Sequence, residues 1–429
     1  MREVGVLSVE QEAVRDLGVV GRFLVTGPPG TGKSLLAMLR ASKIFRLNAK
    51  QGGDLVVLSK NKPLNQHLKE SIAPALQKLD SEMSAALAGD KLISTYDSWA
   101  KALWSRWPKV FGKEGPIRPG LSPKQAQFGW DWDVAKNDVL SKFPTDQERA
   151  REALLMPSNV VIDEGQDLPR AFYEFLSILD CNITVFADEN QMVFSGMSKI
   201  DVIRESLGID LEDGHLYEVK TNFRNTRQVA EVSSEFYAGL QTGKPELPNR
   251  NGQRALIRGF RDLNDLATDI ARQSVRQKGK AAKTGPSVGV VVMGGKDKWS
   301  RERIERELMQ SILNADDSAI VRRYDWKTYK GEGKFTFDEP ETITIVNAFT
   351  QKGLEWDHVY VYVDEFELEP SETEKLIQLM QLYVATSRPR EKLCIAWTMA
   401  NFRGRGAPEI VRRFLEQPLR QKIVEDWSE

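Results

Sequence analysis

The feature that most constrains the fold is a glycine-rich segment, Gly-Pro-Pro-Gly-Thr-Gly-Lys-Ser, at residues 27–34. It directly follows the apolar run Phe23–Val25 and precedes a second apolar stretch, Leu35–Leu39. A strand that ends in a glycine-rich turn and opens into a helix directs several backbone N–H groups inward, where they surround a phosphate without a Cβ in the way. The segment therefore predicts a strand, a phosphate-binding loop and a helix that packs on a sheet.

Every position of this loop has an expected role in binding a nucleotide with Mg²⁺. Lys33 is expected to reach the β- and γ-phosphates, and the Ser34 hydroxyl is expected to hold the metal ion. The residues predicted to contact the nucleotide are Gly27, Pro28, Pro29, Gly30, Thr31, Gly32, Lys33 and Ser34.

Composition excludes several other classes of protein. No apolar run approaches the roughly 20 residues needed to cross a bilayer, and the N-terminus has no signal-peptide core, so we expect a cytoplasmic protein without a membrane partner. Two cysteines provide no iron–sulfur ligand set, and three scattered histidines provide no metal cluster. The net charge of −1 excludes a globally basic nucleic-acid coat but permits a local basic groove.

Apolar runs that alternate with helix-length segments indicate parallel sheets covered by helices on both faces. The predicted strands are 23–26, 55–59, 91–94, 160–163, 183–187, 217–219, 254–257, 288–292, 342–346, 358–363 and 392–397. With 429 residues, two tandem α/β domains are the simplest account. We predict a first domain at 1–213, with a helical insertion at about 104–157, and a second at 214–429, with a reduced insertion at about 258–340. Residues 412–422 are predicted to form a terminal helix.

A cluster of carboxylates follows the predicted strand at 160–163. The carboxyl ends of parallel strands face the ligand crevice, so Asp163 and Glu164 should lie opposite the phosphate-binding loop. Asp163 suits the Mg²⁺ shell, and Glu164 suits a general base that deprotonates the attacking water.

Seven segments, in order along the chain, resemble the motifs of superfamily 1 helicases of the UvrD/Rep type. They are residues 7–11, 27–34, 160–168, 185–191, 221–224, 351–356 and 383–390. The Lys-Gly-Leu-Glu core at 352–355 is the most diagnostic of them. The resemblance covers nearly the whole chain. It implies an α/β fold with two tandem RecA-like P-loop domains, parallel sheets and a small helical insertion in the first.

The resemblance also implies roles for residues outside the loop. In the ATP site, Gln11 would bond the adenine edge, Phe223 would stack on the base and Glu355 would face the ribose or the phosphates. Gln191 would sense the γ-phosphate. Two arginines from the second domain, Arg224 and the arginine finger Arg388, would stabilise charge on the γ-phosphate when the domains close, which is typically worth ~10³–10⁵ in rate.

The strand-binding positions that the resemblance implies are Asn61, Lys62, Tyr96 and Phe194. Single strands are held by phosphate contacts and by aromatic platforms, which suits these residue types. Trp130 and Trp132 could form a stacking pair, but packing of the inserted helices is the favoured interpretation. The segment just before residues 351–356 departs from the family, since Asn347–Phe349 stands where the family usually has Thr-Ile-His.

These observations predict an ATP-dependent translocase or helicase that moves 3′→5′ on single-stranded DNA, including the tail of a duplex. Three alternatives stay open. The chain could translocate without opening a duplex and need a partner, such as a nuclease or another replication, repair or defence protein. It could be a nucleotide-switched binding module, or it could act on RNA, because stacking and phosphate contacts discriminate poorly between the two nucleic acids.

Overall fold

The structure is a computed structural model. It describes residues 7–48, 55–60, 65, 68–69, 92–115, 129–191, 198–210, 214–274, 284–294, 298–324, 337–363, 372–399 and 424–428. Its contacts divide the chain into two compact units, 1–28 with 32–219, and 29–31 with 220–429. None of the helices in these ranges is long and apolar enough to cross a membrane.

The first domain is built on a six-stranded sheet in which every strand pair is parallel. Its strands are β1 (Arg22–Thr26), β2 (Leu55–Ser59), β3 (Ile93–Thr95), β4 (Asn159–Ile162), β5 (Asn182–Ala187) and β6 (Leu216–Glu218). They lie in the order β3-β2-β4-β5-β1-β6.

Helices cover both faces of this sheet. They are α1 (Val9–Asp16), α2 (Lys33–Asn48), α3 (Tyr96–Trp104), α4 (Trp107–Phe111), α5 (Trp132–Lys142), α6 (Gln147–Ala153), α7 (Arg170–Ser177) and α8 (Ile200–Leu207). Successive side chains of a strand point to opposite faces, so Phe23 and Val25 pack with α1 and α2 whereas Leu24 packs with the helices on the other side.

The predicted helical insertion at about 104–157 contains α4, α5 and α6. Trp130 and Trp132 are 7% and 6% exposed and belong to the hydrophobic core beneath these helices. Trp132 contacts Phe172 and Phe175 of α7 with ring centroids 5.0 Å apart in each case. The packing interpretation of both tryptophans is confirmed.

The second domain has a seven-stranded parallel sheet in the order β13-β7-β12-β11-β8-β10-β9. The strands are β7 (Ala255–Phe260), β8 (Val288–Met293), β9 (Ile320–Arg323), β10 (Thr342–Asn347), β11 (Trp356–Val363), β12 (Pro389–Thr398) and β13 (Val424–Ser428). The helices are α9 (Arg227–Glu235), α10 (Leu263–Ser274), α11 (Lys298–Ala315) and α12 (Glu372–Thr386). The α/β class with two RecA-like parallel-sheet domains is confirmed.

Every predicted strand corresponds to an observed one, and the structure adds β9 and β13. Both lie at the edges of the second sheet, where one neighbour is missing and the apolar signal is weaker; Ile320 of β9 is 52% exposed. Residues 258–340, predicted as an insertion, contain β8, β9, α10 and α11, which belong to the sheet and its covering layers. The helix predicted at 412–422 lies outside the described residues.

Candidate nucleotide and nucleic-acid site

Three neighbouring strands of the first sheet end beside one another and carry most of the predicted site. Strand β5 lies between β1 and β4, and Thr26 pairs with Ala187 while Ile162 pairs with Val185. The glycine-rich loop follows β1, Asp163 follows β4 and Asp188 follows β5. Because all three strands are parallel, these segments emerge at the same edge of the sheet.

The glycine-rich loop needs its glycines. Gly30 and Gly32 have φ values of 86° and 84°, a backbone region that side chains other than glycine rarely adopt. Lys33 begins α2 and is 6% exposed. Its Nζ donates to the carbonyl oxygens of Gly27 at 2.6 Å and Pro28 at 3.0 Å, so the ammonium group lies within the curve of the loop.

Asp163 and Ser34 are the oxygen donors predicted for Mg²⁺, and the structure brings them together. Burial, with the charge of Glu164 second, raises the pKa of Asp163 to about 7, while the Ser34 hydroxyl and Lys33 act in the opposite direction. Oδ1 of Asp163 accepts a hydrogen bond from the Glu164 N–H at 3.1 Å, whereas its buried Oδ2 has no hydrogen-bond partner in the described part of the chain.

A divalent cation fits this donor set. It would compensate the buried negative charge and give Asp163 Oδ2 a partner, with the remaining oxygens supplied by phosphate and water, as Mg²⁺ prefers. Within the described ranges no group of three or more His, Cys, Asp or Glu side chains is arranged to hold a metal ion. A Mg²⁺ that is bound together with its nucleotide does not require such a group.

Glu164 adopts a left-handed backbone conformation, with φ 57° and ψ 46°. Its side chain is 5% exposed, and Oε2 accepts a hydrogen bond from Gln166 Nε2 at 2.7 Å. The other end of the Gln166 amide, Oε1, accepts from the backbone N–H of Asp188 at 2.9 Å. One buried side chain thus ties the carboxylate after β4 to the segment after β5.

Gln191, predicted to sense the γ-phosphate, lies in the same cluster. Its Nε2 donates to Asp188 Oδ2 at 2.6 Å. The same carboxylate oxygen lies 3.7 Å from Lys33 Nζ. Burial raises the pKa of Asp188, opposed first by the charge of Lys33 and then by the bond from Gln191.

The sequence analysis missed Asp188 and Gln166 as members of this cluster. Asp188 follows the buried strand β5 just as Asp163 follows β4, so the strand-end argument applies to both. Gln166 gave no comparable signal, because its role depends on two backbone segments that only the fold brings together.

Gln11, the predicted adenine reader, lies near the tip of α1. Ser8 and Gln11 form a reciprocal cap: the Gln11 N–H donates to Ser8 Oγ at 3.2 Å and the Ser8 N–H donates to Gln11 Oε1 at 3.1 Å. Gln11 is 5% exposed, and a Cβ placed on Gly32 would lie 3.1 Å from its Nε2. The amide is therefore adjacent to the glycine-rich loop.

The second domain gathers the other predicted nucleotide residues in a network of its own. Arg224 Nε lies 3.1 Å from Glu355 Oε2, and Arg224 also donates to the Ser387 carbonyl at 3.4 Å. Arg390 Nε lies 3.5 Å from the same glutamate oxygen and pairs with Asp338 at 2.7 Å. Glu355 thus contacts two arginines, a role that the sequence did not predict.

Arg388 and Phe223 differ sharply in exposure. Arg388 is 1% exposed, and its guanidinium donates to the carbonyls of Val384 at 2.9 Å and Leu354 at 3.4 Å. Phe223 is 49% exposed, which leaves much of its ring available for stacking. To reach a phosphate, Arg388 has to exchange these internal bonds for new ones.

Among the predicted strand-binding residues only Tyr96 is described, because Asn61, Lys62 and Phe194 lie outside the described residues. Tyr96 is 3% exposed. Its hydroxyl accepts from Trp132 Nε1 at 2.5 Å, and its ring packs edge-on against Phe172. Lys60 Nζ lies 4.7 Å from the ring centroid. The structure therefore places this ring in the core, where little of its surface is available to a base.

Comparison with protein families gives one finding. The model for Schlafen group 3, DNA/RNA helicase domain, matches residues 21–109. This segment begins just before β1, includes the glycine-rich loop and ends in α4. No curated protein matches the chain. Because the match covers about a fifth of the sequence, it indicates a helicase-related region in the first domain rather than membership of that family.

The fold, the charged side chains at the edge of the first sheet and the family match all indicate the same class of protein. The chain is a two-domain α/β protein with a helicase-related region, and its first domain gathers a lysine, three carboxylates and a glycine-rich loop at one edge of a parallel sheet.

Proposed function

We propose that this protein is an ATP-dependent motor that moves 3′→5′ along single-stranded nucleic acid, with DNA as the first candidate substrate. The observation that carries the proposal is the convergence of Lys33, Asp163, Glu164 and Asp188 at the carboxyl edge of the first sheet. A buried cluster of this composition suits a magnesium-bound triphosphate. The match to a DNA/RNA helicase domain supports a nucleic-acid substrate.

Each residue of the cluster has a defined task in this proposal. Ser34 and Asp163 would hold Mg²⁺, which supplies positive charge to the phosphate oxygens. Lys33 would leave the carbonyls of Gly27 and Pro28 for the β- and γ-phosphates. Glu164, held by Gln166, would accept a proton from the attacking water.

The second domain contributes Arg224, Arg388 and Phe223 in this proposal. The two arginines would stabilise charge on the γ-phosphate, and the exposed Phe223 ring would stack on adenine. Arg224 is paired with Glu355 in the structure, so its transfer to a phosphate would break that pair and leave the glutamate with Arg390. Hydrolysis would then depend on a conformational step, which is how a bound nucleotide can drive movement along a strand.

Steady-state ATP hydrolysis with and without single-stranded nucleic acid tests the proposal. We expect turnover that requires Mg²⁺ and rises several-fold with a DNA oligonucleotide at low salt. Lys33→Ala should abolish it. The same assay with an RNA oligonucleotide of equal sequence decides which nucleic acid is the substrate. Magnesium-dependent ATP hydrolysis that neither DNA nor RNA stimulates would exclude the motor function and indicate a simple ATPase.

A second candidate is an ATPase that grips a strand but opens no duplex without a partner, for example a nuclease. The observation that favours it is the small size of the accessory insertions: the described part of residues 258–340, predicted as a reduced insertion, supplies β8, β9, α10 and α11 of the second domain. Strand displacement on duplexes with a 3′ or a 5′ tail separates the two candidates. Efficient opening of the 3′-tailed duplex by the isolated chain would reject the second, and opening of only the 5′-tailed duplex would reverse the proposed direction.

A further inference from the structure

A buried arginine near the centre of α2, Arg40, has no task in the proposed hydrolysis. It is 0% exposed. Its guanidinium donates to the carbonyl oxygens of Leu17 at 2.5 Å and of Gly18, and to Thr184 Oγ1 at 3.3 Å. It also lies 5.2 Å from the centroid of the Phe23 ring. Burial lowers the pKa of Arg40 to about 10, so the group is still charged at neutral pH.

The two backbone carbonyls belong to the end of α1. Leu17 is the C-terminal cap of this helix, and Gly18 follows it. Carbonyls at a helix C-terminus have no partner within the helix, and a cation there is favoured by the helix dipole. Arg40 therefore satisfies two oxygens that would otherwise be poorly bonded, and it fixes the end of α1 to the middle of α2.

Apolar contacts also join α1 and α2. Val14 and Leu17 share one buried cluster with Leu36, Ala37 and Ala41 of α2. Apolar contacts allow small sliding movements, whereas a planar guanidinium with two carbonyl acceptors fixes both position and orientation. The bonds of Arg40 therefore give the end of α1 a directional connection to α2.

The position of α1 determines the position of Gln11. The helix has eight residues, so it is about 12 Å long and a shift at its C-terminal end moves its first turn by a similar amount. Gln11 lies in that first turn, and its Nε2 approaches the glycine-rich loop at Gly32. A glutamine amide recognises adenine by donating and accepting at once, which requires correct placement of both atoms.

We propose that Arg40 is the positioning residue for nucleobase selectivity: it holds α1 so that the Gln11 amide meets the edge of an adenine base. The proposal rests on the proposed ATP site and deepens it. Arg40 touches no phosphate and no reacting atom, so its loss should affect the binding of ATP and the choice of base rather than the rate of cleavage.

The chain offers a matched control in Arg22, a partly buried arginine of β1. Its NH1 donates to the Leu207 carbonyl at 2.9 Å and its NH2 to the Ser177 carbonyl at 2.8 Å. Both carbonyls lie at the ends of other helices of the same domain, α8 and α7. Arg22 and Arg40 therefore perform the same kind of capping, but only Arg40 acts on the helix that carries Gln11.

The experiment compares Arg40→Lys, Arg40→Gln, Arg22→Lys and Gln11→Ala with the wild type in the full chain. For each, kcat and KM are measured with ATP and with GTP, together with the thermal unfolding midpoint. We expect the Arg40 variants to raise the KM for ATP about tenfold at nearly constant kcat and to lose most of the preference for ATP over GTP. Arg22→Lys should lower the midpoint and leave the preference unchanged.

A double variant separates positioning from general destabilisation. If Arg40 acts through Gln11, then adding Arg40→Lys to Gln11→Ala should cause no further loss of base preference. Folded Arg40 variants that keep the wild-type preference would overturn the inference, and so would an equal loss of preference in Arg22→Lys. A wild type that binds ATP and GTP equally well would overturn the inference alone, whereas a wild type that binds neither would overturn the proposed function as well.

Discussion

At the scale of single residues, Glu164 combines burial with an unfavourable backbone conformation. Left-handed dihedrals cost a residue with a Cβ about 1–2 kcal/mol, and the φ of 57° places Glu164 in that region. The bond from Gln166 holds the carboxylate in one orientation at the edge of the sheet. A strained, buried acid beside a lysine and a second carboxylate is an arrangement suited to proton transfer.

Glu164→Gln is expected to lower kcat for ATP hydrolysis by about 10²–10⁴ because a positioned general base typically contributes that much. The glutamine keeps a carbonyl oxygen for Gln166, so the fold and the binding of ATP should change little. Phosphate release and equilibrium binding of a fluorescent ATP analogue measure the two effects. Glu174→Gln is the control. Glu174 lies on α7 and pairs with Lys136 and Arg170, and the variant should retain wild-type turnover.

At the scale of elements, α11 is joined to β9 and β10 through one buried carboxylate. Glu305 is 1% exposed; Arg323 NH1 of β9 lies 3.1 Å from its Oε2, and Asn347 Nδ2 of β10 donates to its Oε1 at 3.1 Å. Burial raises the pKa of Glu305 above its ordinary value, although both partners act in the opposite direction. The folded domain therefore holds this proton more tightly than the unfolded chain does.

This raised pKa predicts a pH dependence of stability. The contribution of Glu305 is fully present below its unfolded pKa of 4.5 and is lost as the pH rises through the higher folded value. Glutamine does not titrate. The difference between the unfolding midpoints of Glu305→Gln and the wild type should therefore shift in favour of Glu305→Gln as the pH rises from 4.5 towards neutrality.

Thermal melts of both proteins across this range measure the difference. Glu307→Gln, which alters an exposed carboxylate of the same helix that pairs with Arg303, is the control. A Glu305→Gln midpoint that falls relative to the wild type as the pH rises would contradict the expected sign.

The contact between α3 and α5 supports a prediction about Tyr96. Tyr96→Phe removes the acceptor of the buried Trp132 indole N–H and should lower the free energy of unfolding by about 1–3 kcal/mol. Affinity for a single strand should not change if the ring serves only the core. Chemical denaturation and fluorescence anisotropy measure the two quantities. A loss of affinity at unchanged stability would instead support the strand-binding role predicted from the sequence.

At the scale of the whole molecule, 60 basic and 61 acidic residues nearly cancel, so any attraction to a nucleic acid has to come from a local surface. Binding of a single strand to such a surface releases counterions from each neutralised phosphate. The logarithm of the association constant should fall linearly with the logarithm of salt concentration, by about 0.7 per phosphate contact. Anisotropy titrations at several salt concentrations measure this slope, and an affinity independent of salt would exclude phosphate contacts as the basis of binding.

The sequence by itself determined the class of fold and the first half of the candidate site. Apolar runs that alternate with helix-length segments predicted two parallel sheets. Strands of a parallel sheet are buried on both faces and are therefore continuously apolar, and they are joined by crossover helices. The same reasoning placed Lys33 and Ser34 after β1 and Asp163 and Glu164 after β4. These are local patterns, in which the residue types and their order are enough to fix the structure.

Only the tertiary structure decided which side chains meet. No local sequence pattern determines the order of the strands in a sheet. The position of β5 between β1 and β4 brings Asp188 close to Lys33 and Gln166 close to Asp188. The same holds for Tyr96, whose sequence context suits a stacking platform but whose ring the fold buries against Phe172. The partner of a side chain far along the chain depends on how whole elements pack, and a single sequence does not record that arrangement.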